Sequence, residues 1–407
     1  MSGFPPSSPQ QVNLSNWQQP ASLRWSFRHM REVIPTHPIV AGGAVRPLPA
    51  RERDLGDIPV SLADGPSTVA KVLDTTYTDG LLVLHDGVVV TERYFEGMAP
   101  STRHLVMSVS KSIVGCVAGV LVEGGQLDPG APVTAYVPEV AGSGYDGARV
   151  RDVLDMRTGV AFSEAYTSED SEVRVMERSM GWAPRRPDDP CGAYAYLTTL
   201  RTEGPHGAGF VYRSCDTDML GWMCERAAGR RMADLVSTHI WQPMGAEFDG
   251  DITCDSVGTA VHDGGISTTL RDLARFGQLL LDDGRSGERQ VVPAAWLADA
   301  YTPTPDVREA FARTDNEPML PGGWYRDQFW FFHPESGPVL LCLGIHGQLV
   351  FVDRGTRTVV VKQSSWPDAQ NADHLAATLR ACLAIAATLA SGRSGRTRAR
   401  RGARRRR

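Results

Sequence analysis

The sequence predicts an α+β fold: an antiparallel sheet with strands from both ends of the chain, flanked by N- and C-terminal helices, with a helical subdomain inserted between them. Three observations predict it. Residues 81–84 and 88–94 are β-rich runs on either side of His85-Asp86-Gly87, and Asp-Gly between apolar runs is a hairpin signal. After Gln328 come four short β-rich runs, 328–332, 339–343, 349–352 and 358–363. Strands this close in sequence pair antiparallel, because a parallel crossover needs about a dozen residues or more. Between them, over 130–300, helical stretches such as 217–228 and 271–281 are punctuated by Gly and Pro.

Taken in order, residues 1–60 are Pro-rich and irregular apart from an amphipathic piece over 25–34, and read as an N-terminal arm, ordered or loose. The main domain spans 61–390. It begins with the hairpin, continues through a small-residue apolar stretch over 113–122 that reads as a helix, and ends on an apolar helix over 375–390. That last stretch contains Arg380 and reads as a packed helix, so no membrane span is expected. Residues 391–407 carry nine Arg and no acid, and are expected to be a disordered tail.

The formal net charge is −5, and subtracting the nine charges of the tail leaves −14 for the rest of the chain. An acidic body argues against nucleic acid as the main ligand. The N-terminal MSGFPPSSPQQ lacks both a basic and an apolar region, so the expected location is cytoplasmic. Seven Cys without CxxC or zinc spacing are expected to be reduced core residues, in neither a disulfide framework nor a metal site.

Lysine usage marks the chemistry. Of 42 basic residues only Lys71, Lys111 and Lys362 are Lys, so Arg has taken nearly every site where a plain positive charge serves. A retained Lys points to a task Arg cannot perform: Arg keeps its proton, whereas a buried Lys can lose it and act as a base. Lys111 lies in Ser108-Val109-Ser110-Lys111, and residues three apart share a helix face. Ser108 is therefore the candidate nucleophile and Lys111, neutralised by burial, its base. At the first helical turn the Ser108 N–H also points toward a developing oxyanion. In Tyr212-Arg213-Ser214, phenol and hydroxyl can face the same way, Tyr212 as proton shuttle and Ser214 as hydrogen-bonding partner, although an ordinary packed Tyr fits the local sequence as well. In Gly344-Ile345-His346-Gly347-Gln348, His346 reads either as a donor toward a substrate or as a satisfied strand-end histidine, while Gly347 allows close backbone approach.

The ordered set SVSKS (108–112), VLDMRTGV (153–160), YRS (212–214), GGISTTLRDLARFGQLLLDDG (264–284) and GIHGQ (344–348) resembles the serine β-lactamase and penicillin-binding-protein superfamily, class C β-lactamase-like. Within it the chain is most similar to the 6-aminohexanoate-dimer hydrolase (nylon oligomer hydrolase) branch. The resemblance implies a β-lactamase/transpeptidase-like fold. It also implies an acyl-enzyme on Ser108 with Lys111 and Tyr212, an oxyanion hole from the Ser108 and Ile345 N–H groups, and no metal or organic cofactor. By the same resemblance Tyr166 contacts the scissile amide and Glu177 faces a substrate amine, or else pairs with Arg174 or Arg178. Asp263 lines the pocket, and Trp182 is a mobile lid or plain core. Many members have Lys-Thr-Gly where this chain has Ile345-His346-Gly347; without that Lys, recognition of a β-lactam carboxylate is not expected. The expected partner is a small-molecule amide or ester, a short aminoalkanoate oligomer first and a carboxylester second, with a homodimer left open. A non-catalytic binding protein on the same scaffold is the alternative of another class.

Overall fold

The computed structural model describes residue 7 and residues 11–404, with side chains through residue 392. Its centre is a seven-stranded antiparallel sheet in the order Trp324–Arg326, Phe329–Phe332, Val339–Gly344, Gln348–Asp353, Thr358–Ser364, Thr78–His85, Val88–Tyr94. The four late runs and the early hairpin are thus one sheet, joined where Thr358–Ser364 pairs antiparallel with Thr78–His85. Asp86 and Gly87, with φ of 51° and 76°, make the hairpin turn, a conformation that Asx and Gly tolerate best. Trp324–Arg326, too short to show an alternation, extends the sheet by an edge strand that the sequence reading lacked.

The strands are apolar on both sides, and their side chains divide with period two. Leu82, Leu84, Leu340, Cys342, Val350 and Val359 face one core, packed beneath the helices Val109–Glu123 and Leu270–Leu281. Leu81, Val83, Leu341, Leu349, Phe351 and Val360 face the other, under the last helix and the short helix Val69–Thr75. The face opposite the last helix belongs to Val109–Glu123, the first helix after the hairpin, joined by Leu270–Leu281. The last helix runs Ala372–Arg404, so backbone helix continues through most of the segment expected to be disordered, and residues 405–407 lie outside the described ones. Its 372–392 portion is long and apolar enough to cross a membrane, yet Leu379, Cys382, Ile385, Ala386 and Leu389 pack into the sheet's second core.

The inserted region is mostly helical but contributes Gly250–Thr253 and Ile266–Thr268 to a second sheet, in which they lie between Thr36–Ile39 and His104–Leu105. The N-terminal arm reaches the same body, burying Trp17, Leu23, Phe27, Met30 and Ile34 in the main core. This second sheet matters for the site. It fixes the turn before Ser108 to the loop that carries Asp263.

Candidate active site

Met107, at φ 48°, turns the chain sharply between strand His104–Leu105 and helix Val109–Glu123. Left-handed backbone at a residue with a β-carbon costs about 1–2 kcal/mol and persists where the surroundings enforce it. Here Val106 N–H donates to the Ile266 carbonyl at 2.9 Å, and Ile266 N–H donates to Ser110 Oγ at 3.0 Å. The turn delivers Ser108 to the helix N-cap with a hydroxyl that caps nothing. Ile345 follows strand Val339–Gly344, whose last residue approaches so closely that a Cβ on Gly344 would lie 2.6 Å from the Val106 carbonyl oxygen. Among the described residues neither the Ser108 nor the Ile345 N–H donates to a loop, turn or cap carbonyl. Ser108 and Ile345 line the same cavity.

One turn into the helix, Lys111 is 1% exposed. Its Nζ donates to Ser108 Oγ at 3.0 Å, Ser214 Oγ at 3.1 Å and the Asp263 carbonyl at 2.8 Å, and lies 3.5 Å from Asp263 Oδ2. Ser214 opens helix Ser214–Ala228, and its N–H donates to the Glu164 carboxylate, whose other oxygen accepts the Tyr166 hydroxyl at 2.7 Å. Tyr212 is half-buried, its ring 4.9 Å from that of Trp330 and 5.2 Å from Lys111 Nζ. Ser108, Lys111, Tyr212 and Ser214 are thus brought into one cluster.

The surroundings of Lys111 oppose the effect of its burial. Burial pushes its pKa down, but Tyr212, Asp263, Glu164 and Asp218 outweigh burial and hold it above the ordinary lysine value. Three hydrogen bonds to acceptors and a carboxylate oxygen at 3.5 Å surround Nζ as they would an ammonium, where the sequence reading expected burial to neutralise it. Burial raises the Tyr212 phenol despite the opposing pull of Lys111, so Tyr212 rests protonated. Burial likewise lifts the Asp263 carboxyl to about 7, with Asp218 adding to the shift and Lys111 opposing it.

Ser108, Tyr166, Glu177, Trp182, Asp263 and Ile345 line one narrow cavity, whose free volume of about 10 Å³ holds about one water. Trp182 forms a wall: its indole N–H donates to Thr253 Oγ1 at 3.1 Å, and its carbonyl accepts the Trp17 indole N–H at 2.6 Å. Glu177 reaches the cavity but is also salt-bridged to Arg174 at 2.5 Å, so the pairing and the pocket position are both present. Burial raises its pKa.

His346 and Gly347 do not line this cavity, and of the two readings left open for His346 the surroundings are those of the satisfied histidine. The His346 ring packs edge-on against Phe27 at 5.4 Å, its Nδ1–H donates to the Trp366 carbonyl at 2.8 Å, and burial lowers its pKa to about 4. It is a neutral, packed histidine. Gly347, at φ 86°, makes room for Trp366, whose ring a Cβ would meet at 2.3 Å.

The sequence reading missed Glu164, Asp218 and His262. Asp218, one turn after Ser214, accepts the His262 N–H at 2.9 Å and the Asp263 N–H at 3.3 Å, pinning the loop that presents Asp263 to Lys111. Its available signal was the four-residue spacing from Ser214, on the same helix face. His262, fully buried between Asp218 and Glu225, is driven down by burial but up more strongly by those carboxylates, to about 9.

A family model described as beta-lactamase matches residues 69–385. The 6-aminohexanoate-dimer hydrolase of Paenarthrobacter ureafaciens is 40% identical over 365 residues, covering 90% of this chain and 91% of that protein. A structure described as a candidate 6-aminohexanoate-dimer hydrolase from Bacillus anthracis superposes with a TM-score of 0.85 at 27% identity, covering 94% of this chain and 98% of the other. A D-stereospecific amidohydrolase from a Streptomyces species shares the fold, with a TM-score of 0.57 at 18% identity over 75% of this chain and 96% of that one.

Proposed function

We propose that this chain, which belongs to the beta-lactamase family and is a hydrolase, cleaves short linear amides of the 6-aminohexanoate-oligomer type through an acyl-enzyme on Ser108. The observation that carries the proposal is the 3.0 Å contact between Lys111 Nζ and Ser108 Oγ at the mouth of a cavity lined by Tyr166, Glu177 and Asp263. In its amine form Lys111 takes the Ser108 proton as Oγ attacks the carbonyl carbon. The Ser108 and Ile345 N–H groups stabilise the oxyanion, where preorganised donors are worth several kcal/mol. Tyr212, whose ring lies 5.2 Å from Lys111 Nζ, passes a proton to the leaving nitrogen. Water then attacks the acyl-enzyme by the reverse of these steps.

The amide reading rests on the 40%-identical relative and on the acid-lined cavity, which suits a substrate with a cationic amine end. The neutral, turned-away His346 supplies no cation for a β-lactam carboxylate, so we assign lactams no role as substrates. We place the enzyme in the cytoplasm; all seven cysteines are free and six are buried, in keeping with a reducing compartment. Turnover of matched amide and ester pairs, each with and without a terminal amine, tests the substrate. The free-amine amide is expected to be preferred over its N-acetyl form. Efficient turnover of esters with none of either amide would replace this reading with a carboxylesterase.

A further inference from the structure

We propose that Asp263 is the proton acceptor that converts Lys111 from its resting ammonium into the amine that activates Ser108. The inference rests on the Ser108 acyl-enzyme reading and addresses what that reading leaves open, since an ammonium has no lone pair with which to take a proton.

Geometry selects Asp263 among the acids. It is the one carboxylate within 4.0 Å of Lys111 Nζ among the described residues, with Oδ2 at 3.5 Å. Its backbone carbonyl accepts from the same Nζ at 2.8 Å, so the ammonium is already oriented toward this residue. The Ser214 hydroxyl also accepts from Nζ, at 3.1 Å, and so holds the ammonium beside Asp263. Asp263 is 7% exposed, its Oδ1 has no hydrogen-bond partner, and it lines the cavity. The other acids nearby are engaged elsewhere or farther from Nζ. Glu164 holds the Tyr166 hydroxyl and the Ser214 N–H, Glu177 is bridged to Arg174, and Asp218, which holds two amides on Oδ1 and has a free Oδ2, lies beyond 4.0 Å of Nζ.

The step balances within the pair. An Nζ–H bond breaks, an Oδ2–H bond forms, and ammonium plus carboxylate become amine plus carboxylic acid without exchange with solvent. Substrate entry drives it: filling the cavity expels water, and loss of solvation disfavours two separate charges relative to a neutral pair. The freed lone pair turns to Ser108 Oγ.

The test is the pH profile of kcat/KM from 5.5 to 8.5 with an uncharged ester, for wild type, Asp263→Asn and Asp263→Glu, alongside mass-spectrometric detection of the Ser108 adduct. Wild type is expected to fall below about pH 7, where Asp263 is already protonated, and to be level above. In Asp263→Asn, Glu164 and Asp218 still hold the ammonium, which must now lose its proton to water. Its kcat/KM should drop at least about 100-fold at pH 7 and climb with pH, on the scale of a lost general-base function. Asp263→Glu should restore a level profile above its acid limb. An Asn variant whose profile runs parallel to wild type, or a Glu variant that climbs like Asn, would overturn the proposal and leave Asp263 a cavity wall. Absence of any Ser108 adduct in wild type would instead sink the acyl-enzyme reading itself.

Discussion

Two lysines, Lys111 and Lys362, are each 1% exposed, yet their surroundings drive them in opposite directions. Lys362 lies in strand Thr358–Ser364, where Nζ donates to the Thr76 carbonyl at 3.1 Å and to the Ser364 hydroxyl, 5.6 Å from the centre of the Trp366 ring. Burial lowers it to about 7, only weakly opposed by Asp79 and Cys382. Lys111 suffers the same burial but faces Tyr212, Asp263, Glu164 and Asp218, and is raised. Burial alone therefore does not make a base. The count and distance of nearby acids decide the resting charge, and a group that must shed a proton on demand needs an acceptor beside it.

Breaking the active lysine should give the largest effect. Lys111→Arg keeps the charge among the acids but removes any route to an amine, so kcat/KM should fall by about 10³-fold or more while the melting temperature stays near that of wild type. Retention of more than about a tenth of wild-type kcat/KM would remove Lys111 from the chemistry. Next comes its phenol neighbour. Tyr212→Phe should cost amide turnover about 10²–10⁴-fold and an activated ester far less, because an amine must be protonated to leave and a nitrophenolate departs unaided. Equal losses on both substrates would make Tyr212 a positioning group.

The other lysine sharpens the contrast through stability. Its folded pKa, about 7, lies below the ordinary lysine value, so between them the unfolded chain binds more protons and wild-type stability rises with pH, by a few kcal/mol in all. Lys362→Met should remove that rise and leave kcat/KM within about twofold, because no proton transfer uses Lys362. Urea unfolding at pH 6, 8 and 10 measures it, and an unchanged slope would show that Lys362 is not held neutral. The smallest effect belongs to the rim of the cavity. Glu177→Gln should raise KM for amine-terminated substrates by an amount worth about 1 kcal/mol or less, since Arg174 already neutralises part of its charge. Acetyl-capped substrates should be unaffected, and the difference should shrink with added salt.

The parts of this design that depend on local patterns were legible in the sequence. The Ser108/Lys111 spacing fixed a shared helix face, Asp86-Gly87 fixed a hairpin, and closely spaced β-rich runs required antiparallel pairing. What escaped depends on contacts across the chain. Gly250–Thr253 and Ile266–Thr268 are four and three residues long, fully buried, and carry no alternation to mark them as strands. Glu164 and Asp218 are two acids among 47, distinguished only by the amides and hydroxyls they meet in the fold. His346 and Gly347 follow Ile345 directly, but the positive φ of both turns them toward Trp366 and away from the cavity. The acids around Lys111 escaped for the same reason, because they come from three separate segments of the chain.

Acylation of Ser108 is the claim on which the rest depends, and intact-protein and peptide mass spectrometry after treatment with a fluorophosphonate tests it most directly. Wild type should gain one adduct, located on Ser108, and Lys111→Arg should gain it at least about 100-fold more slowly under the same conditions. Wild type that gains no adduct, or that carries it on another residue, would contradict the account.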